Sequence, residues 1–132
     1  MVAMHKGLIG LIGLLMLVIW LQTMFAPQII EQQFFISAST PEGLNAFRAD
    51  FGGFFLGVGI FSLLGLRAGQ AHWLLAAMVL LAGAAVGRLI GIAIDGVNAM
   101  ALGSMVFESI VAALFFSAYK CLSPAKVVSA GI

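Results

Sequence analysis

The hydrophobic positions of this chain fall into four long runs, separated by short stretches in which polar residues gather. A helix rising about 1.5 Å per residue crosses a hydrocarbon core of about 30 Å in roughly 20 residues, and each run is long enough to do so. The first, residues 7–25, contains no charge. Pro27 ends it, since proline lacks an amide hydrogen and biases the residue before it away from the helix. The longest connection follows, residues 27–40. It mixes Ile29, Ile30, Phe34, Phe35 and Ile36 with Gln28, Glu31, Gln32 and Gln33, which suits a segment lying at the membrane surface.

Thr40-Pro41-Glu42 reads as a helix start: an N-capping hydroxyl, proline at the first helical position and an acid in the first turn. The second helix is expected over residues 41–66, with Asn45, Arg48 and Asp50 in its interfacial first turns. Residues 67–71 form a turn and residues 72–94 a third helix. Asp95-Gly96 is a turn signal, and residues 98–119 form the fourth span. The tail from Ser123 is expected to be short and mobile. The pattern predicts an all-α membrane protein, a four-transmembrane-helix bundle forming a single domain over residues 1–132.

Composition agrees with that pattern. Hydrophobic residues make up 63% of the chain and charged residues 8%, where a soluble domain carries about 25% charged residues. The first run has a basic start at His5 and Lys6, as a signal peptide would. Cleavage after Ala26, however, would place Pro27 first and the large Met24 two positions before the cut, so a retained helix is expected. Lys6, Arg67, Lys120 and Lys126 fall on one side of the predicted membrane; Arg48, Glu31, Glu42, Asp50 and Asp95 fall on the other. The positive-inside bias predicts an N-in/C-in protein, with Trp73 and Tyr119 at the cytoplasmic interface. The first span, free of charge, is expected to be the lipid-facing member.

Two features could carry more than insertion. Gly83, Gly87 and Gly91 recur every fourth residue in the third span, and Gly53 and Gly57 do so in the second. Such stripes let helices approach closely, either inside one bundle or between copies of it. The second feature is charge within the spans. Arg88 lies roughly 10 Å, and Glu108 roughly 15 Å, from the outer helix ends. Each alone costs about 2.5–3.5 kcal/mol on insertion scales, so a pair facing the interior is the economical arrangement. Arg48, Asp50, Arg88, Asp95 and Glu108 could form one cluster in the outer half. That cluster is either an ion-pair network fixing helix register, or a polar pocket that binds a small or amphiphilic ligand or relays protons.

Other chemistry is thin. A single cysteine, Cys121, excludes an intramolecular disulfide and a four-cysteine metal site; an inert interfacial thiol is expected, with palmitoylation the alternative. His5 and His72 are read as solvated helix-end residues, so no metal, haem or other cofactor is expected. No phosphate loop, paired catalytic carboxylates, Ser/His/Asp set or nucleic-acid motif is visible. The net charge of +1 points to no strongly charged partner.

Asn45-x-x-Arg48-Ala, Gly52-Gly53-x-x-x-Gly57, Gly87-Arg88, Asp95-Gly96 and Glu108 together resemble a bacterial membrane family, domain of unknown function 4345, over residues 7–120. The chain is also distantly similar to small four-helix membrane families of the DoxX type. The resemblance implies four spans in a bacterial inner membrane and no established activity. The resemblance leaves function open. The lack of extramembrane mass and of catalytic motifs, with the glycine stripes, leads us to expect a non-enzymatic protein, an accessory subunit of a larger membrane complex or a homo-oligomer in the lipid bilayer. The alternative is a binder or carrier of a lipid-like or small polar ligand.

Overall fold

The computed structural model describes residues 1–123, folded as five helices: α1 (Val2–Phe25), α2 (Pro27–Phe34), α3 (Pro41–Gly65), α4 (Trp73–Asp95) and α5 (Ala99–Leu122). Lys126 and the tail beyond Ser123 lie outside the described residues. α1, α3, α4 and α5 are each long and apolar enough to cross a membrane, which makes the chain an all-helical, multi-pass membrane protein.

Local chemistry sets the boundaries. Ala26 leaves the helical region at φ −140°, and its N–H still closes on the Gln22 carbonyl at 2.8 Å; the imino nitrogen of Pro27 cannot continue the ladder. The Thr40 hydroxyl accepts from the Gly43 N–H at 3.0 Å and starts α3. The Asn98 side chain does the same for α5, accepting from Ala101 N–H at 2.8 Å. Gly96 takes φ +99° in the turn after Asp95, a conformation that side chains with a Cβ rarely adopt.

The connection expected at the membrane surface contains the helix α2, whose Pro27 and Ile30 are buried. Its last residue, Phe34, packs against Phe51 and Phe55 of α3 at ring separations of 5.6 and 5.9 Å. α2 is therefore stitched to the body of the protein along its apolar side. It ends at Phe35, which takes a left-handed φ of 55° although it is not glycine. Glu31 closes that turn twice. Its carbonyl accepts from Ile36 N–H at 2.9 Å, and its carboxylate accepts from Ala38 N–H at 2.6 Å.

The long helices contact one another in a ring, α1 on α3, α3 on α4, α4 on α5, and α5 back on α1. Neighbours run antiparallel. Going up α1, Gly10 meets Leu66, Gly13 meets Ser62 and Gly59, and Gly52 meets Met24. Gly57 against Leu80 and Gly65 against Leu74 order α3 and α4 in the same way. The start of α1, the α3–α4 turn and the end of α5 consequently share one end of the ring. α2, the start of α3 and the α4–α5 turn share the other.

α1 is more than a lipid-facing rod. It presents Leu8, Leu11, Leu14, Val18 and Leu21 outward, but its Ile9, Gly13, Met16 and Thr23 are buried in an extensive seam with α3. The core gathers Ile9, Met16, Phe55, Val58, Leu74, Leu81, Val111 and Phe115. Polar side chains inside it are satisfied locally. The Thr23 hydroxyl donates to the Ile19 carbonyl at 2.8 Å and that of Ser62 to the Val58 carbonyl at 2.5 Å, leaving no bare donor in a setting without water.

A candidate ligand cavity beside an intramembrane ion pair

Arg88 projects from the middle of α4 toward α5, and its Nε donates to both carboxylate oxygens of Glu108, at 2.9 and 3.0 Å. The arginine side chain is 27% exposed and the glutamate 11%, so both charges are largely withdrawn from the lipid side. Mutual neutralisation is what makes two ionised groups tolerable at this depth. It is the only salt bridge among the described residues.

Of the other three charges of the expected cluster, Arg48 and Asp95 lie elsewhere, and Asp50 lines the same cavity as the ion pair without touching it. The Arg48 Nε donates to the Met24 carbonyl at 3.1 Å, so this residue caps the end of α1 from the neighbouring helix. That carbonyl belongs to the last turn, where intrahelical donors run out and a cation also meets the negative end of the helix dipole. Asp95 is exposed at the end of α4. Asp50 stands apart from the ion pair but on the wall of the same cavity, and has no hydrogen-bond or ion-pair partner among the described residues.

That cavity has a volume of about 390 Å³. Leu15, Met16 and Ile19 of α1 form one side, and Ser104, Phe107 and Glu108 of α5 form another. Phe34, Phe51, Phe54 and Phe55 line it together with Leu81 and Ala84, while Asp50 and Arg88 add polar points. Its position follows from the ring. The α1–α5 seam is the least extensive of the four. It is tied near one end, where His5 and Ser117 meet, and farther along residues of both helices line the cavity. Leu15 and Phe107 stand on its lip with large exposed surfaces, facing where lipid tails would be.

The glycines divide differently from the sequence expectation. Gly53, Gly83, Gly87 and Gly91 have nothing within 4 Å of where a Cβ would stand, so their stripes lie open rather than against a neighbour. Of the five singled out by spacing, Gly57 alone abuts another helix, 3.1 Å from Leu80. Close approach is made instead by Gly13 and Gly59 in the α1–α3 seam, by Gly52 under Met24, and by Gly65 under Leu74. Four-residue spacing defines a face but does not say what lies opposite it.

Sequence reasoning also missed His5. Because α1 begins at Val2 rather than at residue 7, His5 sits inside the helix and is buried, its Nε2 3.0 Å from the Ser117 hydroxyl. Its Nδ1 lies 3.0 Å from the Met1 carbonyl, which can only accept. Nδ1 therefore carries the proton, and in the neutral ring Nε2 accepts from Ser117. No local signal pairs His5 with Ser117, one of three serines in α5. His72, by contrast, is exposed beside Trp73.

None of the curated proteins or solved structures compared with the chain matches it. One family does. The family described as "Domain of unknown function (DUF4345)" matches residues 4–119, nearly the whole described length, and the chain belongs to that family.

Proposed function

We propose that this membrane protein is a non-catalytic binder of an amphiphilic small molecule, which it takes up from the lipid phase into the cavity between α1, α3, α4 and α5. The observation that carries the reading is the composition of that cavity. A volume of about 390 Å³, open on one side, is lined by apolar and aromatic side chains, with Arg88, Glu108 and Asp50 as its charged points. Small-molecule sites have this character, a mostly apolar concavity of several hundred Å³ with a few placed polar groups. The α1–α5 seam supplies a lateral entrance at Leu15 and Phe107. The ion pair has two roles in this reading: it holds α4 to α5, and it gives the cavity wall a polar point with no net charge of its own, beside the carboxylate of Asp50.

Native mass spectrometry of the protein released from mild detergent tests this. An added single-chain amphiphile is expected to remain bound at one per chain, and Ala84→Phe, which fills the cavity wall, is expected to abolish retention. Equal retention by the variant would overturn the assignment.

A second reading rests on the open glycine face of α4. Gly83, Gly87 and Gly91 offer a second copy, or another subunit of a membrane complex, the small-residue surface that close helix contact uses. Mass measurement in mild detergent, with Gly87→Leu as the disrupting variant, checks it. We further infer the topology. Lys6, Arg67 and Lys120 share one end of the ring, while Glu31, Glu42 and Asp95 share the other. The positive-inside rule then favours both termini in the cytoplasm of an inner membrane, and cysteine accessibility at Ser39 and Ala68 tests that.

A further inference from the structure

We infer that the ligand of this cavity is a lipophilic cation, an amine or quaternary ammonium carried on an apolar body; the inference rests on the cavity being a binding site at all. Three groups with formal charge line the cavity: Arg88, Glu108 and Asp50. The first two cancel each other, because the Arg88 Nε spans both oxygens of Glu108. Asp50 is left. Neither ion pair nor hydrogen bond engages it among the described residues, and the nearest basic residue along its helix, Arg48, is committed to the Met24 carbonyl. The cavity thus carries one net negative formal charge, that of Asp50, an exposed residue on its otherwise apolar wall, and beside lipid a counter-charge is worth more than in water.

The apolar wall selects in the same direction. Phe34, Phe51, Phe54, Phe55 and Phe107 are five aromatic rings around one volume. Ring faces are negative and attract cations, and quaternary ammonium groups, which cannot be held by hydrogen bonds, are recognised in aromatic enclosures of this kind. An anionic amphiphile would meet Asp50 and Glu108 with only the already paired Arg88 to receive it. A neutral one would fill the volume but leave the Asp50 carboxylate without a partner. The cation satisfies both the carboxylate and the rings.

The test uses three probes of one shape: a phenylalkyl trimethylammonium, its neutral isostere with carbon in place of nitrogen, and the corresponding phenylalkyl sulfonate. Affinities are measured on the whole protein in lipid nanodiscs, with binding to empty nanodiscs subtracted. The ammonium is expected to bind about tenfold or more tightly than the neutral isostere, from cation–π and charge attraction together. The sulfonate is expected to bind more weakly than either. Asp50→Asn, which keeps the shape of the side chain, should remove most of that preference and leave the neutral probe unchanged, which also reports that the variant is folded. If Asp50→Asn is not recovered folded, Phe107→Leu at the lip carries the test, with a loss of about threefold for the cation beyond that for the neutral probe. Equal binding of cation and neutral probe, tighter binding of the sulfonate, or a preference that survives both substitutions would overturn the cation assignment while leaving the cavity a binding site. Binding of none of the three probes would overturn the cavity reading as well.

Discussion

The α1–α3 and α4–α5 seams are the two most extensive contacts in the protein, and they are built on opposite uses of glycine. In α1–α3 the glycines face inward: a Cβ at Gly13 would stand 2.9 Å from that of Ser62, and one at Gly59 would stand 2.7 Å from Leu17. The seam needs no polar lock, because two backbones in close register gain contact that lipid tails cannot match. In α4–α5 the glycines of α4 face away, and the specific link is the Arg88–Glu108 pair. The first seam is close and apolar. The second borders a cavity and is held by groups that a ligand can also address. Small-residue packing has built the frame, and the ion pair stands where the frame opens.

The largest effect should come from forcing the first seam apart. Gly59→Leu places a branched side chain against Leu17 and within 3.2 Å of the Gly13 carbonyl, atoms belonging to a helix that cannot shift without dragging the seam. Overpacking of a close core costs about 1–3 kcal/mol, and backbone contact puts this site at about 3 kcal/mol or beyond. Little folded protein is expected in mild detergent, measured as the monodisperse fraction after extraction. Near-wild-type yield would mean that the seam is softer than its distances imply.

Next comes the lock of the second seam. Glu108→Leu strands Arg88 in the apolar phase and is expected to cost about 3 kcal/mol, lowering the thermal midpoint in detergent. Arg88→Leu leaves Glu108 without its partner in the same way and should cost a similar amount. The double variant should regain most of the loss, because well-packed apolar residues replace a buried ion pair at little cost. Full recovery of stability with loss of amphiphile retention would separate the two roles assigned to the pair; recovery of both would leave it a structural lock alone.

This contrast marks where the sequence could be read and where it could not. Breaks and caps are short-range chemistry, so Pro27, Thr40-Pro41 and Asp95-Gly96 announce the helix ends that the structure places within a residue or two of them. The ion pair was legible for another reason: two opposite charges in adjacent spans have almost nowhere else to go. The facing of the glycines was not legible. At about 100° per residue, Gly87 and Gly91 stand about 100° and 60° round the helix from Arg88, far enough for the arginine to face α5 while the glycines look outward. Nor could the cavity be foreseen, because it arises from the weak α1–α5 seam, a contact between the first and last spans that no local pattern encodes. Arg88, Glu108 and Asp50 of the five expected charges do share one cavity, while Arg48 and Asp95 stand apart from it. Arg48 found an orphan carbonyl at the end of α1 before it could find a carboxylate.

The tie at the far end of that weak seam gives a smaller, sharper effect. Ser117→Ala removes the hydroxyl that donates to the buried His5 ring, and about 1 kcal/mol should be lost. The consequence reaches the cavity because His5–Ser117 is the polar contact that holds α1 to α5. Faster uptake of an amphiphile, with little change in its equilibrium affinity, is the expected kinetic signature. An unchanged uptake rate would show that the seam parts independently of its far end.

The smallest effect is also the one that most directly contrasts the two kinds of glycine. Gly87→Ala puts a methyl group into open space on a face with no neighbour within 4 Å. Within a single chain it should be neutral or slightly stabilising, by up to about 1 kcal/mol, because alanine gives up less backbone freedom than glycine in a helix. The same substitution at Gly13 meets Ser62 and should destabilise, so the pair of alanine variants, compared by thermal unfolding, distinguishes an inward from an outward glycine at equal sequence change. If Gly87→Ala instead lowers stability in a manner that depends on protein concentration, the outward face is occupied by a second copy. The open stripe of α4 would then be doing between chains what Gly13 and Gly59 do within one.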